Sequence, residues 1–323
     1  MNDWRPTATI ETLRLRARLL ATIRDFFARR DVLEVETPIL SQAGNSDPNI
    51  LGFHARFQGH ADAGASDRWL RTSPEYPLKR LLAAGVGDCY ELGRVFRNGE
   101  AGHRHNPEFT MLEWYRVGWD HRRLMRETVE VALAALELVG RTARVREISY
   151  RALFDDVLGI DPLTCDEGVL RAAMDGIAIA PNDLSRDDWL DLLLTHRIQP
   201  AMAADELLLV YDYPASQCAL ARVRADDPPV AERFELYLGS MELANGYHEL
   251  TDAREQRQRF ELDQMRRRHR GESVAPIDER LLTALAHGLP ACAGVAMGVD
   301  RLLAAMLGIG SLPAVLAFPF ARS

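Results

Sequence analysis

Three groups of residues in this chain of 323 have the types and spacing to do chemistry. The first begins at Arg97, whose planar fork of donors suits a phosphate or carboxylate oxygen, and continues through Phe109, Glu113 and Tyr115. The second is Glu235, Glu242 and Glu249, at equal steps of seven. Glu235 and Glu242 are expected on adjacent strands, where two carboxylates repel unless a divalent cation lies between them. Oxygen ligands beside a phosphate-bearing substrate suit Mg²⁺. The third is Gly294-Val-Ala-Met-Gly298-Val-Asp300-Arg301, which reads as a strand running into a helix. There Gly298 permits close approach of a ligand, and Asp300 is placed to cap the helix that carries Arg301. Taken singly, each of these groups is commoner as a solvated surface residue. Only their combination points to a site.

The surrounding pattern says what must position them. Cys89–Phe96 and residues 109–115 predict an antiparallel hairpin across a turn-rich loop holding Gly99, Gly102, Asn106 and Pro107. Alternation then puts Phe109, Met111, Glu113 and Tyr115 on one face. Upstream, Leu13, Ala17, Leu20, Ile23 and Phe27 form a helical stripe within residues 10–30. A strand at 32–36, a bend at Thr37-Pro38, a loop-rich stretch at 41–67 with a strand at 53–57, and a helix at 77–84 started by Ser73 and Pro74 follow. Downstream come a helix at 120–139 closed by Gly140 and a helical section at 149–199 (Tyr150–Leu158, 166–175 and 185–198) without clustered chemistry. Strands are expected at 206–212, 218–223, Val230–Leu238 and 241–244, then a helix at 252–270. Its arginine-rich end reads as a solvated terminus, with a docking patch for an acidic partner as the alternative.

Composition bounds the rest. A hydrophobic content of 47% and a charged content of 27% are ordinary for a soluble globular protein. Arg5, Glu11, Arg14, Arg16 and Arg18 interrupt any leader-like run, so the expectation is a cytoplasmic protein without a membrane segment. Cys89, Cys165, Cys218 and Cys292 lack metal-ligand spacing and are expected as reduced thiols. A net charge of −8 gives no support to a large nucleic-acid footprint.

Phe96-Arg97-Asn98 together with His105-Asn106-Pro107-Glu108-Phe109-Thr110-Met111-Leu112-Glu113 resembles motif 2 of the class II aminoacyl-tRNA synthetases, specifically the lysyl type. The helix, strand and Pro38 near the start resemble motif 1, and Gly294 to Leu302 resembles motif 3. The resemblance implies an α+β fold, a mainly antiparallel sheet flanked by helices, forming a single catalytic domain over residues 1–323 with a helical insertion at about 149–205. It implies ATP as co-substrate with Mg²⁺ held by Glu235 and Glu242. Arg97 and Arg301 would be catalytic, and a bent ATP would lie among Arg97, Asn98, Gly99, Glu100, His105, Asn106, Phe109, Glu242, Leu243, Gly298 and Arg301, its adenine between Phe109 and Arg301. Ser73, Pro74, Glu75, Tyr115, Glu249 and Ala296 would hold an amino acid, with Glu75 on its amino group and Glu249, beside Tyr115, on its side-chain ammonium. Motif 1 builds the dimer interface in that family, so a homodimer is implied.

Only about ten residues precede the motif 1 helix, where lysyl-tRNA synthetases carry an anticodon-binding barrel. In this the chain resembles the stand-alone lysyl-synthetase paralogues that act on translation elongation factor P. That implies a ligase joining (R)-β-lysine to the ε-amine of a lysine on that protein acceptor, without anticodon recognition. Two departures from the lysyl-tRNA synthetase pattern stand out: Ala296 where that type has Gly, and Gly99 followed by Glu100 where it has Glu directly after Arg-Asn. The rival readings are a truncated tRNA ligase, an amide-forming ligase of small molecules and a non-catalytic regulatory paralogue. Retention of Arg97, Glu235, Glu242 and Arg301 speaks against the last.

Overall fold

The computed structural model describes residues 4–60, 62, 64–177 and 184–323; positions 61, 63 and 178–183, within the expected loop and helical section, lie outside the described residues. The apolar stripe near the start folds as α1 (Ile10–Ala28), capped by Thr9. Its buried face is Leu15, Leu19, Ile23, Phe26 and Phe27, turned from the expected stripe because Leu13, Ala17 and Leu20 sit on its flank. β1 is only Leu33–Glu34, while β2 (Leu40–Ser41), β3 (His54–Arg56) and β4 (Asp67–Leu70) form a small sheet ordered β2-β4-β3. α2 (Glu75–Ala83) starts two residues before the expected 77. Ser73 is not its cap: its hydroxyl accepts from the Glu75 amide at 2.9 Å and donates to Glu113 at 2.6 Å, so it serves the site instead.

The expected hairpin forms from β5 (Cys89–Phe96) and β6 (Glu108–Val117), paired with Glu91 opposite Glu113. α3 (His121–Glu137) follows, capped by Asp120. Next comes β7 (Arg144–Ser149), a strand not anticipated, whose charged residues face solvent while it runs parallel to the following strand. The helical section holds α4 (Tyr150–Leu158), α5 (Glu167–Ala173) and α6 (Arg186–Leu193), the last with the Ser185/Asp188 capping box. After β8 (Glu206–Pro214), the strand expected at 218–223 does not form as a whole; the chain turns at Ala219 in the left-handed region, Ala221 makes a single bridge to Glu249, and the short β9 (Val223–Arg224) pairs. β10 (Val230–Leu238) matches expectation. β11 (Met241–His248) runs through Asn245-Gly246, which read as a stop, because Gly246 packs flat on Phe234; a Cβ there would fall 2.5 Å from that ring. α7 (Ala253–His269), α8 (Glu279–Gly288), β12 (Cys292–Gly298) and α9 (Val299–Met306) complete the chain.

The main sheet is ordered β1-β5-β6-β12-β11-β10-β8-β7, with β9 beside β10. It is antiparallel except at its two ends, where β1 meets β5 and β7 meets β8. Placing β12 between β6 and β11 brings the three chemically promising stretches side by side, although they are far apart in sequence. On one face α1, α3 and α9 bury Leu19, Phe27, Trp114, Leu124, Val295 and Leu302 in a shared core. Burial of each such large side chain contributes about 1.5–3 kcal/mol. The helical section has its own apolar cluster around Tyr150, Phe154 and Leu190, seated on β8 and β10. Arg267 is not solvated as expected of the α7 end. It is 4% exposed and donates to the carbonyls of Ser46 at 3.0 Å and Ile50 at 2.7 Å, fixing that loop, while Arg266 and Arg268 stay exposed. Among the described residues all four cysteines are free, and no helix is long and apolar enough to cross a membrane.

Candidate active site

A cavity opens where β6, β12 and β11 lie together. Gly294 and Gly298 mark its two ends along β12, about 13 Å apart at the rise of a strand. Near Gly298 the wall is cationic. Arg97 lies 5.2 Å from the Phe109 ring centre and 3.7 Å from Glu100, and its buried Nε has no hydrogen-bond partner. Arg301 donates to His105 Nε2 at 2.8 Å and stands 3.4 Å from a Glu242 carboxylate oxygen. Burial, and then Arg301, hold the His105 pKa below its ordinary value, so the neutral ring accepts that bond. Asn106 and Leu243 line the same end.

The expected cap on α9 is a different device. Its N-cap, Gly298, makes no side-chain bond, and Asp300 in the first turn is 2% exposed. Asp300 accepts from the Thr110 amide at 2.9 Å and from Arg16, which also donates to the Thr110 hydroxyl at 2.7 Å. One buried carboxylate thus ties α1, β6 and α9 together, and Arg301 rides on that junction.

Near Gly294 the wall is acidic. Glu75, Glu113, Tyr115, Glu249, Ser73 and Ala296 all line it. A Cβ at Gly294 would lie 2.2 Å from the Tyr115 ring and 2.5 Å from Glu249, so only glycine leaves room for both. Glu249 is already ion-paired: Lys79, a residue the sequence reading passed over, places its Nζ 2.6 Å from Glu249 and 2.6 Å from Glu75. Tyr115 donates to Glu113 at 2.8 Å rather than to Glu249. Burial would lower the Lys79 pKa, but Glu249 and then Glu75 outweigh it and hold it above its ordinary value. Burial, reinforced by Glu75, pushes the Glu113 carboxyl up to about 8 against the bonds from Ser73 and Tyr115. Glu75 and Glu249 share the single Lys79 ammonium beside Glu113, so this end is rich in carboxyl groups, the complement of an ammonium.

That raised carboxyl has a measurable consequence. From its ordinary 4.5 up to about 8, folded Glu113 holds a proton that the unfolded chain has released, so stability falls as pH rises through this window. Glu113→Gln is expected to lose part of that slope in urea unfolding measured across it. An unchanged slope would rule out a proton held at this position.

Four expected site residues are not on the wall. Asn98 is tied by its amide to Leu51 at 2.7 Å, Pro74 is the N-cap of α2, and Gly99 holds a φ of 85°. That positive φ, costly for any residue with a Cβ, turns the chain so that Glu100 reaches the wall one position late. Glu235 is 6% exposed and accepts from Tyr213 at 2.7 Å, Asn245 at 3.3 Å, Tyr237 and Arg233. Glu242 lines the cavity, and Glu235 stands behind it on the paired strand with its oxygens engaged by these four donors. Burial, then Glu235, pushes the Glu242 pKa up while Arg301 opposes. Asn45, Thr72, Arg104, Asn245 and Tyr247 line the wall without having been anticipated. Asn245, Tyr247 and Glu249 alternate along β11 and its continuation, a signal readable once the strand is carried past Asn-Gly.

A largely antiparallel sheet whose adjacent strands carry motifs 2 and 3, with an arginine on each, defines a class II synthetase catalytic unit. The chain belongs to the family of class II tRNA synthetases of the D, K and N type, matching it over residues 1–322. Among curated proteins it is 48% identical to the elongation factor P (R)-beta-lysine ligases of Salmonella gallinarum and Salmonella paratyphi B, over 99% of this chain and 98% of theirs.

Proposed function

We propose that the chain is an ATP-dependent ligase that activates (R)-β-lysine and transfers it to the ε-amine of a lysine on translation elongation factor P. The observation that carries this reading is the division of one cavity into a phosphate-binding end, with Arg97 and Arg301, and an ammonium-binding end, with Glu75 and Glu249. The names of its full-length relatives supply the particular substrates.

A carboxylate oxygen of the amino acid attacks the α-phosphorus of ATP. The new acyl–phosphate bond forms as the bond to pyrophosphate breaks, and Arg97 and Arg301 neutralise charge on the phosphates. The acceptor amine then attacks the acyl carbon, an amide forms and AMP leaves. Positioning and electrostatics suffice for the first step, so no protein nucleophile is needed. Glu242, with Glu235 on the paired strand, would hold an Mg²⁺ completed by phosphate oxygens and water, the usual manner in which this ion is held. Such an ion supplies further charge neutralisation. Glu100 takes the place of the acid that lysyl-type relatives carry one residue earlier. The chain acts as one catalytic domain, with the helices at 149–205 as scaffold. Two copies pair through the motif 1 region, where Leu33 (54%) and Leu40 (50%) are exposed.

ATP–pyrophosphate exchange with (R)-β-lysine against α-lysine, followed by a mass shift on elongation factor P, tests the reading. Exchange with neither amino acid, or exchange without transfer to the factor, would refute it. Ala296, opposite Glu113 on β6 and Asn245 on β11, adds a methyl at the amino-acid end. One such group shifts selection by roughly 1–3 kcal/mol. Ala296→Gly is therefore expected to relax discrimination toward α-lysine, measured as the ratio of the two exchange rates.

A further inference from the structure

His248 sits between the cavity-lining residues Tyr247 and Glu249, so its side chain points to the opposite face of the sheet. There it meets His121, the first residue of α3, and Glu232 of β10, and one ligand atom from each lies within 4.8 Å of the others. We infer that these three side chains form a second metal site, one for a divalent transition ion of the Zn²⁺ type, separate from the reaction cavity.

The independent observation is His121 itself. It is 3% exposed, yet neither ring nitrogen has a hydrogen-bond partner. A neutral imidazole carries one donor and one acceptor, and buried polar atoms are rarely left unmatched. A metal bond at one nitrogen removes half of that deficit. Asp212 addresses the other half: its carboxylate lies 3.5 Å from His121 Nε2, the place of an outer acid that orients a ligand imidazole. His248 Nδ1 and Glu232 Oε2 already approach to 2.6 Å, so the set needs only to spread slightly around an ion. Two imidazoles with one carboxylate suit Zn²⁺ better than Mg²⁺ or Ca²⁺, which prefer all-oxygen ligands. Positive neighbours are present: Arg224 stands 3.6 Å from Glu232 Oε1 and 2.7 Å from Asp212, and Arg222 is 3.9 Å from Glu232. Arg224 faces Oε1 and Arg222 faces Oε2 at the longer distance, while His248 approaches Oε2 most closely, so an ion would bind at Oε2 in competition with Arg222 alone. A metal here would pin the start of α3 to β10 and β11, making its role structural.

Co²⁺ serves as the probe because its four-coordinate complexes absorb strongly in the visible. The full chain, stripped with a chelator and titrated with Co²⁺, is expected to bind one ion with intense visible bands that Zn²⁺ erases, and to melt at a higher temperature with Zn²⁺ present. His121→Asn and, separately, His248→Gln are expected to abolish the bands while retaining native circular dichroism. Glu242→Gln, in the cavity, should leave them intact. Absence of the bands in the parent chain, or their survival in a folded His121→Asn or His248→Gln variant, overturns the proposal. Their loss in Glu242→Gln alone would assign the ion to the cavity and overturn it equally.

Discussion

Arg97→Ala is expected to slow ATP–pyrophosphate exchange by roughly 10²- to 10³-fold, the cost of removing one preorganised electrostatic donor from a transition state. The two arginines of the cavity are not equivalent. Arg301 is engaged by His105 at 2.8 Å and Glu242 at 3.4 Å, whereas Arg97 has a buried Nε without a partner and its nearest carboxylate 3.7 Å away. Donors held in place but unspent are those a developing phosphate charge can use at no reorganisation cost. The loss should accordingly fall on the exchange kcat, with the amino-acid KM nearly unchanged, because the acid end is built from other elements. Arg97→Lys keeps the charge and loses the planar fork, so it should recover only part of the rate. Near-normal exchange in the Ala variant would remove Arg97 from the reaction.

Much of this was legible in the sequence, and the exceptions have physical causes. The stretch from Arg97 to Tyr115 reads clearly because a hairpin keeps neighbours in sequence as neighbours in space, and alternation alone sorts its faces. The surroundings of Glu235 were not legible, because strand pairing says which residues are opposite, not which oxygens are already engaged. Its four donors come from Tyr213, Arg233, Tyr237 and Asn245, and Tyr213 lies on another strand with no motif to mark it. Asp300 read as a local cap, yet its partners Arg16 and Thr110 are remote in sequence. Lys79 was visible only as an unremarkable i,i+4 partner of Glu75 on a short helix, a pairing worth a few tenths of a kcal/mol when exposed. Burial is what changed its significance, and burial follows from the packing of α2 against β5, β6 and α8.

Lys79→Met should destabilise the chain by about 3–5 kcal/mol, the cost of breaking a buried ion pair from one side. Lys79 is 1% exposed and bridges Glu75 and Glu249, so the substitution leaves two carboxylates facing each other beside Glu113 without a cation. The pH dependence distinguishes this from a simple packing defect. Burial already pushes the Glu249 pKa up and Lys79 is the chief opposing influence, so the variant's Glu249 should rise further and hold a proton that the unfolded chain lacks. Stability then falls as pH rises between the unfolded and folded values, and the deficit against the parent chain is largest at alkaline pH and shrinks toward acid. Lys79→Met combined with Glu249→Gln removes one stranded charge and should restore part of the loss, whereas Glu249→Gln alone should not stabilise. Urea unfolding of the parent, the two single variants and the double variant at several pH values measures all of this. A pH-independent deficit would make Lys79 a space-filling residue rather than the cation that Glu75 and Glu249 share.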